Sequence, residues 1–347
     1  MDFRTYQTRA WEYDQHHDEP NRGLTIALLG LGGEVGTLQT TQKKIVRDGD
    51  GHSDSHQAAL EDLGDILWYV ADAATWLGED LDAVAEANLR KIGERWPRHG
   101  APLPSQVPVP DLAGHRVRTP VELGPAHLFD GTFPDHERLP RRFDVHFAEI
   151  PGTDRRVLPL LDGRPCGNRL GDNSYDPDGY RWHDCFHLGY LAVLGWSPVQ
   201  RSLLKRKRKS NPQIDDVEDG GRAVAIEEGI SALVFQAAQR TGFYEAVRTV
   251  DGELLRTVRR LVEGLETRIC TTMEWERAIL DGYDAWRSVR DAGHGAVACD
   301  LDARRITARP LSAEELEHHH ELSVQVLADE EEERRIEAEI RAARAAR

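Results

Sequence analysis

TIALLGLGGEVGTLQTTQKKI, from Thr25 to Ile45, and SHQAALEDLGDILWYVADAATWL, from Ser55 to Leu77, decide the fold of the first part of this chain. The first stretch carries Ile26, Leu28, Leu29, Leu31, Val35, Leu38 and Ile45 as a broad apolar stripe. The second carries Leu60, Leu63, Ile66, Leu67, Val70, Ala74 and Leu77. Apolar residues recurring every three to four positions mark amphipathic helices. Asp48-Gly49-Asp50-Gly51 separates the two runs, and Gly78 closes the second. Asp80-Leu81 then opens a further helix through Asn88, Lys91 and Arg95, which Trp96-Pro97 stops. Residues 1–97 are predicted to form an all-α bundle of about four helices.

Acidic residues interrupt these stripes at Gly33-Glu34-Val35-Gly36 and Glu61-Asp62-Leu63-Gly64-Asp65. Positions three or four apart share a helix face, so Glu61 or Asp62 projects beside Asp65. Glu34 reaches toward them from the neighbouring helix. Charges beside an apolar face are costly unless paired or metal-bound. Carboxylates converging from antiparallel helices make a hard-oxygen site suited to Mg²⁺, with Mn²⁺ as the alternative. Lys43, Lys44 and Arg47 follow on the first helix, and Lys91 and Arg95 lie on the last. They are placed to receive phosphate charge that the metal leaves unneutralised.

At these residues the chain resembles the MazG-like all-α nucleoside triphosphate pyrophosphohydrolases. The matching pieces are Tyr6-Gln7, Gly30 through Gly36, Lys43-Lys44, Glu61 through Tyr69, and Asn88-Leu89-Arg90-Lys91 with Arg95, all in family order across residues 3–97. The family's metal pattern is ExxE followed by ExxD. Glu34 fills its first position and Asp65 its last, whereas Thr37 and Asp62 replace two glutamates. A neutral hydroxyl and a shorter acid weaken divalent-cation binding. The resemblance implies Mg²⁺-dependent cleavage of an NTP or dNTP between its α- and β-phosphates, giving a monophosphate and pyrophosphate. Glu34, Asp62, Asp65 and Glu61 are the implied metal residues. Glu34 and Asp65, with Lys91 and Arg95 facing the leaving pyrophosphate, are the implied catalytic set. Lys43, Lys44, Arg47, Asn88 and Tyr69 would contact substrate. Trp68 is read as core. The resemblance also implies a homo-oligomer, dimer or tetramer. Nucleotide-pool cleansing and nucleotide depletion under stress or phage attack both fit such chemistry.

Beyond the bundle, residues 98–124 hold five prolines and little periodicity, the pattern of a semi-rigid linker. Arg142 to Phe147 alternates as a strand, with a partner at Arg155 to Leu161, and Ala296 to Arg309 reads as a hairpin. Helical patterns fill the span from Trp182 to Arg290. Residues 125–312 are thus predicted to be an α+β domain, mostly helical with a small sheet, acting as an accessory or second catalytic domain. Residues 313–347 are predicted to be a charged helical tail. Within the α+β domain, Trp182-His183-Asp184-Cys185-Phe186-His187 places two histidines one helical turn apart, a metal-ligand spacing. Glu227, Glu228 and Arg222 follow on another helix. An isolated HxxxH is more often a core or surface pair, and the Lys205-Arg206-Lys207-Arg208-Lys209 run is ordinarily a solvated loop. His318-His319-His320 offers chance metal affinity.

The net charge of −16 over 347 residues argues against a nucleic-acid-coating role. Cys166, Cys185, Cys270 and Cys299 are scattered without a CxxC pair, so neither a zinc knuckle nor a disulfide framework is indicated. No apolar leader and no run of roughly 20 apolar residues is present, and the expectation is a reduced cytoplasmic protein with no membrane partner. Two functions are weighed. One is a Mg²⁺-dependent pyrophosphohydrolase. The other is a nucleotide-sensing bundle with weakened catalysis, regulating a domain that acts on nucleotide or nucleic acid through His183 and His187.

Overall fold

The computed structural model describes residues 1–48, 55–95, 109–110, 116–117, 123–245, 247 and 249–345. They divide into two compact units, Met1–Gly93 and Glu94–Arg347.

The first unit is built from α1 (Phe3–Trp11), α2 (Pro20–Asp48), α3 (Ser55–Trp76) and α4 (Leu81–Arg95). Asp2 caps α1 by accepting the Thr5 amide at 2.8 Å. Gly78, at φ +73°, ends α3 in the left-handed conformation that glycine tolerates. Gln7 then ties the α3–α4 turn to α1. Its amide donates to Thr75 Oγ1 and to the Glu79 carbonyl, while its Oε1 accepts the Leu81 amide at 2.8 Å. The core is small: Ala10, Ala71, Ala74 and Leu81, with Tyr6, Trp68 and Val70 against them. The stripe expected to face the core lies largely outside, with Leu28, Leu29, Val35, Leu60, Leu63 and Leu67 exposed. The cause is the α2–α3 seam, which runs instead along small residues. Gly23 sits against the Trp76 indole, Ala27 is fully buried, and Gly30 sits against the Tyr69 ring, where a Cβ would overlap the aromatic atoms.

In the second unit, β1 (Val109–Pro110) pairs antiparallel with β2 (Arg116–Val117), a two-residue ladder within the stretch read as a linker. The main sheet comprises β3 (Arg142–Glu149), β4 (Val157–Leu161), β5 (Arg164–Pro165), β6 (His294–Asp300) and β7 (Arg305–Arg309). Its order is β5-β4-β3-β6-β7, antiparallel throughout. Alternation assigns the two faces. Val145, Phe147, Val157 and Val297 join the main core, while Ala148, Ile150, Leu158 and Leu160 face the other way.

Four helices supply the rest of that core, α5 (Asp184–Leu194), α8 (Gly221–Gln239), α9 (Gly252–Leu261) and α10 (Thr272–Ala292), with the short α6 (Pro198–Leu203) and α7 (Pro212–Val217) between α5 and α8 in the chain. Every residue of α5 is buried, as expected for a helix that is apolar almost all round. It meets α10 backbone to backbone. A Cβ on Gly189 would stand 2.9 Å from the Ala278 carbonyl oxygen and 2.9 Å from Gly282 Cα. The last helix, α11 (Ala313–Ala345), departs from the expected tail. Leu322, Val326 and Leu327 pack on Ile150, Leu158 and Leu160, and Leu316 packs beside Ala148. From Glu331 to Arg341 the side chains that are described are exposed. All four cysteines are buried and free. No described helix is long and apolar enough to cross a membrane.

Candidate functional site

Gly30 lies seven residues after Gly23, and Tyr69 seven before Trp76, so α2 and α3 run antiparallel in constant register. Continuing that register brings Glu34 level with Asp65 and Thr37 level with Asp62. Asp62 is buried, and its Oδ2 has no hydrogen-bond partner. Glu34 is half-buried, whereas Glu61 and Asp65 are exposed. Glu61 accepts from Gln57 at 3.4 Å, and the Thr37 hydroxyl donates to the Gly33 carbonyl at 3.3 Å. Burial first, and the Asp65 carboxylate second, raise the Tyr6 phenol above its ordinary pKa, so Tyr6 from α1 stands near that acid.

No three of these four acids bring their oxygens within 4.8 Å of one another. Among the described residues, the triads whose donor atoms all lie within 4.8 Å of one another are His127–Cys270–Glu274 and His183–His187–Glu228. Lys43, Lys44, Arg47, Asn88 and Lys91 are exposed, and the Arg95 side chain lies outside the described residues. Trp68 is a core residue, as read from the sequence, with its indole donating to the Ala10 carbonyl at 3.3 Å. Tyr69 is drawn into the seam on Gly30, edge-on to Trp68 at 4.9 Å.

The second unit brings its candidates closer. Gly179, at φ +87°, starts a 3₁₀ turn over Tyr180–Trp182 that runs directly into α5. His183 Nδ1 lies 2.8 Å from the Tyr180 carbonyl, and its ring stacks on Tyr180 at 4.5 Å. A carbonyl only accepts, so the His183 proton is on Nδ1. One turn later, fully buried His187 donates from Nδ1 to Glu227 Oε1 at 2.8 Å. Glu227 also accepts the Ser197 hydroxyl at 2.6 Å and the Val199 amide at 2.8 Å. Ser197 caps α6 in the Ser-Pro manner and was not foreseen as part of this centre.

His187 Nε2 is buried with no hydrogen-bond partner, and Glu228 Oε2 stands 3.6 Å away. Asp184 is buried, with Oδ1 3.5 Å from His183 Nε2, and burial raises its carboxyl pKa. Burial acts to lower the His187 pKa. The charge and hydrogen bond of Glu227, with Glu228 beyond, overcome it and push the value up to about 10. Glu228 is held below the usual carboxylate range first by its contact with His187. Arg222 stays exposed in the first turn of α8, and no contact ties it to this centre.

The other triad and two further runs read from the sequence prove largely structural. Glu274 accepts from His127 at 2.9 Å, from Arg304 at 2.6 Å and from the Thr271 amide at 2.7 Å, so both its oxygens are committed. Burial pushes the neighbouring Cys270 thiol up to about 11. The basic run is only partly solvated, with Lys205 and Lys209 exposed. Arg208 is buried, bonded to Asp219 at 2.7 Å and to Glu266 at 2.8 Å, and Arg206 donates to the His136 carbonyl at 2.9 Å. His319 is not part of a surface histidine tract. It is buried, with Nε2 donating to the Leu158 carbonyl at 3.0 Å.

Comparison with known proteins gives this geometry its context. The family model described as the MazG C-terminal domain matches residues 124–312, more than half of the chain. The chain is also similar to the "Gene 37 protein" of Mycobacterium phage L5, 41% identical over 75 residues. That match covers 21% of this chain and 66% of the phage protein, just under two thirds of its length. No solved structure matches. The sheet, the histidine centre and the helices around it all fall within the family match, and the chain belongs to the MazG C-terminal domain family.

Proposed function

We propose that the helical bundle of this chain is a Mg²⁺-dependent nucleoside triphosphate pyrophosphohydrolase. Family membership suggests a nucleotide-related hydrolase. The finer reading is supported by the α2–α3 register: counted on from Gly23 against Trp76 and Gly30 against Tyr69, Glu34 falls opposite Asp65 and Thr37 opposite Asp62. The donor set fits a hard cation: carboxylate oxygens, one of them buried without a partner on Asp62. Bound Mg²⁺ would supply Lewis-acid polarisation of the triphosphate. Glu34 orients the attacking water. Lys91 and Arg95 take up the charge of the leaving pyrophosphate, and Lys43, Lys44, Arg47, Asn88 and Tyr69 border the substrate. The exposed leucines of α2 and α3 pair with a second copy, which completes the core and brings further donors to the site.

The test is pyrophosphate release from each NTP and dNTP in Mg²⁺. Glu34→Gln and Asp65→Asn are expected to lower turnover by about 100-fold or more while helical content is retained. Turnover that survives both substitutions overturns the assignment. The sensor reading is favoured by Thr37, a neutral hydroxyl where the resemblance places a second charged metal ligand. Saturable nucleotide binding without pyrophosphate release would select it. Thr37→Glu raises Mg²⁺ affinity if the site is a weakened member of its class.

A further inference from the structure

We propose that His183, His187 and Glu228 form a binding site for one first-row transition-metal dication in the C-terminal unit, separate from the Mg²⁺ chemistry of the bundle. Two independently fixed tautomers support it. His183 gives its Nδ1 proton to the Tyr180 carbonyl, and His187 gives its own to Glu227. Nε2 is therefore the nitrogen of each ring left for a metal ion, which at His187 takes the place of a proton. With a Glu228 oxygen they occupy a space in which every donor lies within 4.8 Å of the others. A histidine whose second nitrogen is tied to a carboxylate or a backbone carbonyl is the usual arrangement behind a metal ligand.

His187 Nε2 carries the argument further than proximity. It is fully buried, has no hydrogen-bond partner, and stands 3.6 Å from Glu228 Oε2, beyond hydrogen-bond length. A buried ring nitrogen left without a partner, protonated or not, is costly unless something occupies the gap. The carboxylates on either side favour positive charge there, from a proton or from a metal ion. Two imidazoles and one carboxylate suit Zn²⁺, Fe²⁺ or Mn²⁺ better than the all-oxygen preference of Mg²⁺ or Ca²⁺. Three protein ligands also leave coordination positions open, with Asp184 beside them. The His127–Cys270–Glu274 triad shows the contrast. Its donors are equally close, but both Glu274 oxygens are already committed to Arg304, His127 and the Thr271 amide.

The experiment strips the full chain with chelator and reloads it with Zn²⁺ or Co²⁺ in excess Mg²⁺. Metal content after gel filtration and the Co²⁺ d–d spectrum are then measured. The expected result is one retained equivalent with a nitrogen/oxygen ligand spectrum. Glu228→Gln, at a side chain 44% exposed and so compatible with the fold, is expected to bind at least ~10-fold more weakly. A His318→Asn/His320→Asn double variant keeps the equivalent. Three results would overturn the site: no retained metal in the wild type, equal affinity in Glu228→Gln, or loss of the metal in the His318/His320 variant. A wild type that binds none leaves His187 as an imidazolium clamped between two glutamates.

Discussion

The two units bring helices into contact through glycine and arrive at opposite results. In the bundle, Gly23 and Gly30 let α2 meet the rings of Trp76 and Tyr69, and the larger aliphatic residues are left outside. In the C-terminal unit, Gly189 lets α5 meet the backbone of α10, and Trp182, Trp196, Trp275 and Trp286 are all buried around that crossing. Leu28, Leu60 and Leu63 each remain about half exposed, at 52%, 50% and 51%. Full burial of a leucine stabilises by about 1.5–3 kcal/mol, so roughly 1 kcal/mol of each is unrealised in a single protomer. The contrast separates a unit that buries its large apolar side chains from one that leaves its leucine stripe exposed.

The strongest way to break the comparison is at Gly189. A side chain there meets a carbonyl oxygen and a Cα at 2.9 Å, neither of which can swing aside. Gly189→Leu is expected to cost about 3 kcal/mol or more and to unfold the C-terminal unit in urea well below the wild-type midpoint. A midpoint within error of wild type would mean that the α5–α10 approach is not as close as described.

Next in size is a pH effect confined to the same unit. Burial, chiefly, depresses the His319 pKa from 6.5 to about 4, against the opposing hydrogen bond of the Leu158 carbonyl and with His320 adding to the depression. The folded state prefers the neutral ring. The stabilisation is therefore complete above the unfolded value and is lost as pH falls from about 6.5 toward 4. The loss is at most about 3 kcal/mol. The difference between wild type and His319→Gln isolates it from other titrations. That difference should shrink across this window and stay constant above it. A constant difference at every pH would show that His319 titrates normally.

The cover proposed for the bundle makes a smaller and purely thermodynamic mark. If two copies share the exposed leucines, tenfold dilution lowers the stability of the folded dimer by about 1.4 kcal/mol. Melting of the bundle should shift with protein concentration, and Leu60→Ser/Leu63→Ser should abolish the shift. Melting that is independent of concentration in the wild type would leave the stripe uncovered.

The legible parts of this fold are those that a period alone encodes. Helices α2 and α3, the β6–β7 hairpin and the one-turn spacing of His183 and His187 follow from local sequence. Register does not. Nothing in the pattern of α2 says that Gly23, Ala27 and Gly30, rather than Leu28 and Val35, form the contact line, because that choice depends on which ring lies opposite. Glu227 and Glu228 are neighbours in sequence but differ by about 100° around a helix. One fixes a tautomer and the other faces the second nitrogen, a division visible only once α5 is in place. Arg208 reads as one of five solvated cations until Asp219 and Glu266 arrive from distant parts of the chain. The first half of α11 hides its contacts because Leu316, Leu322 and Val326 are diluted by glutamates.

The finest test of the bundle uses two glycines of one helix. Alanine is favoured over glycine in a helix by about 0.8–1.0 kcal/mol. At Gly36 an added Cβ meets nothing within 4 Å, so Gly36→Ala should stabilise a lone protomer by nearly that amount. At Gly30 the Cβ overlaps the Tyr69 ring, which must move off its edge contact with Trp68. Overpacking of about 1–3 kcal/mol then outweighs the helical preference, and Gly30→Ala should destabilise by roughly 1 kcal/mol. The two substitutions are chemically identical and sit six residues apart, so their opposite signs in urea denaturation report the seam directly. Equal stabilisation at both would remove Tyr69 from the interface, and with it the register that sets Glu34 level with Asp65. Destabilisation at Gly36 would point instead to a surface outside the protomer resting on that turn, which is what a second copy covering the leucine stripe requires.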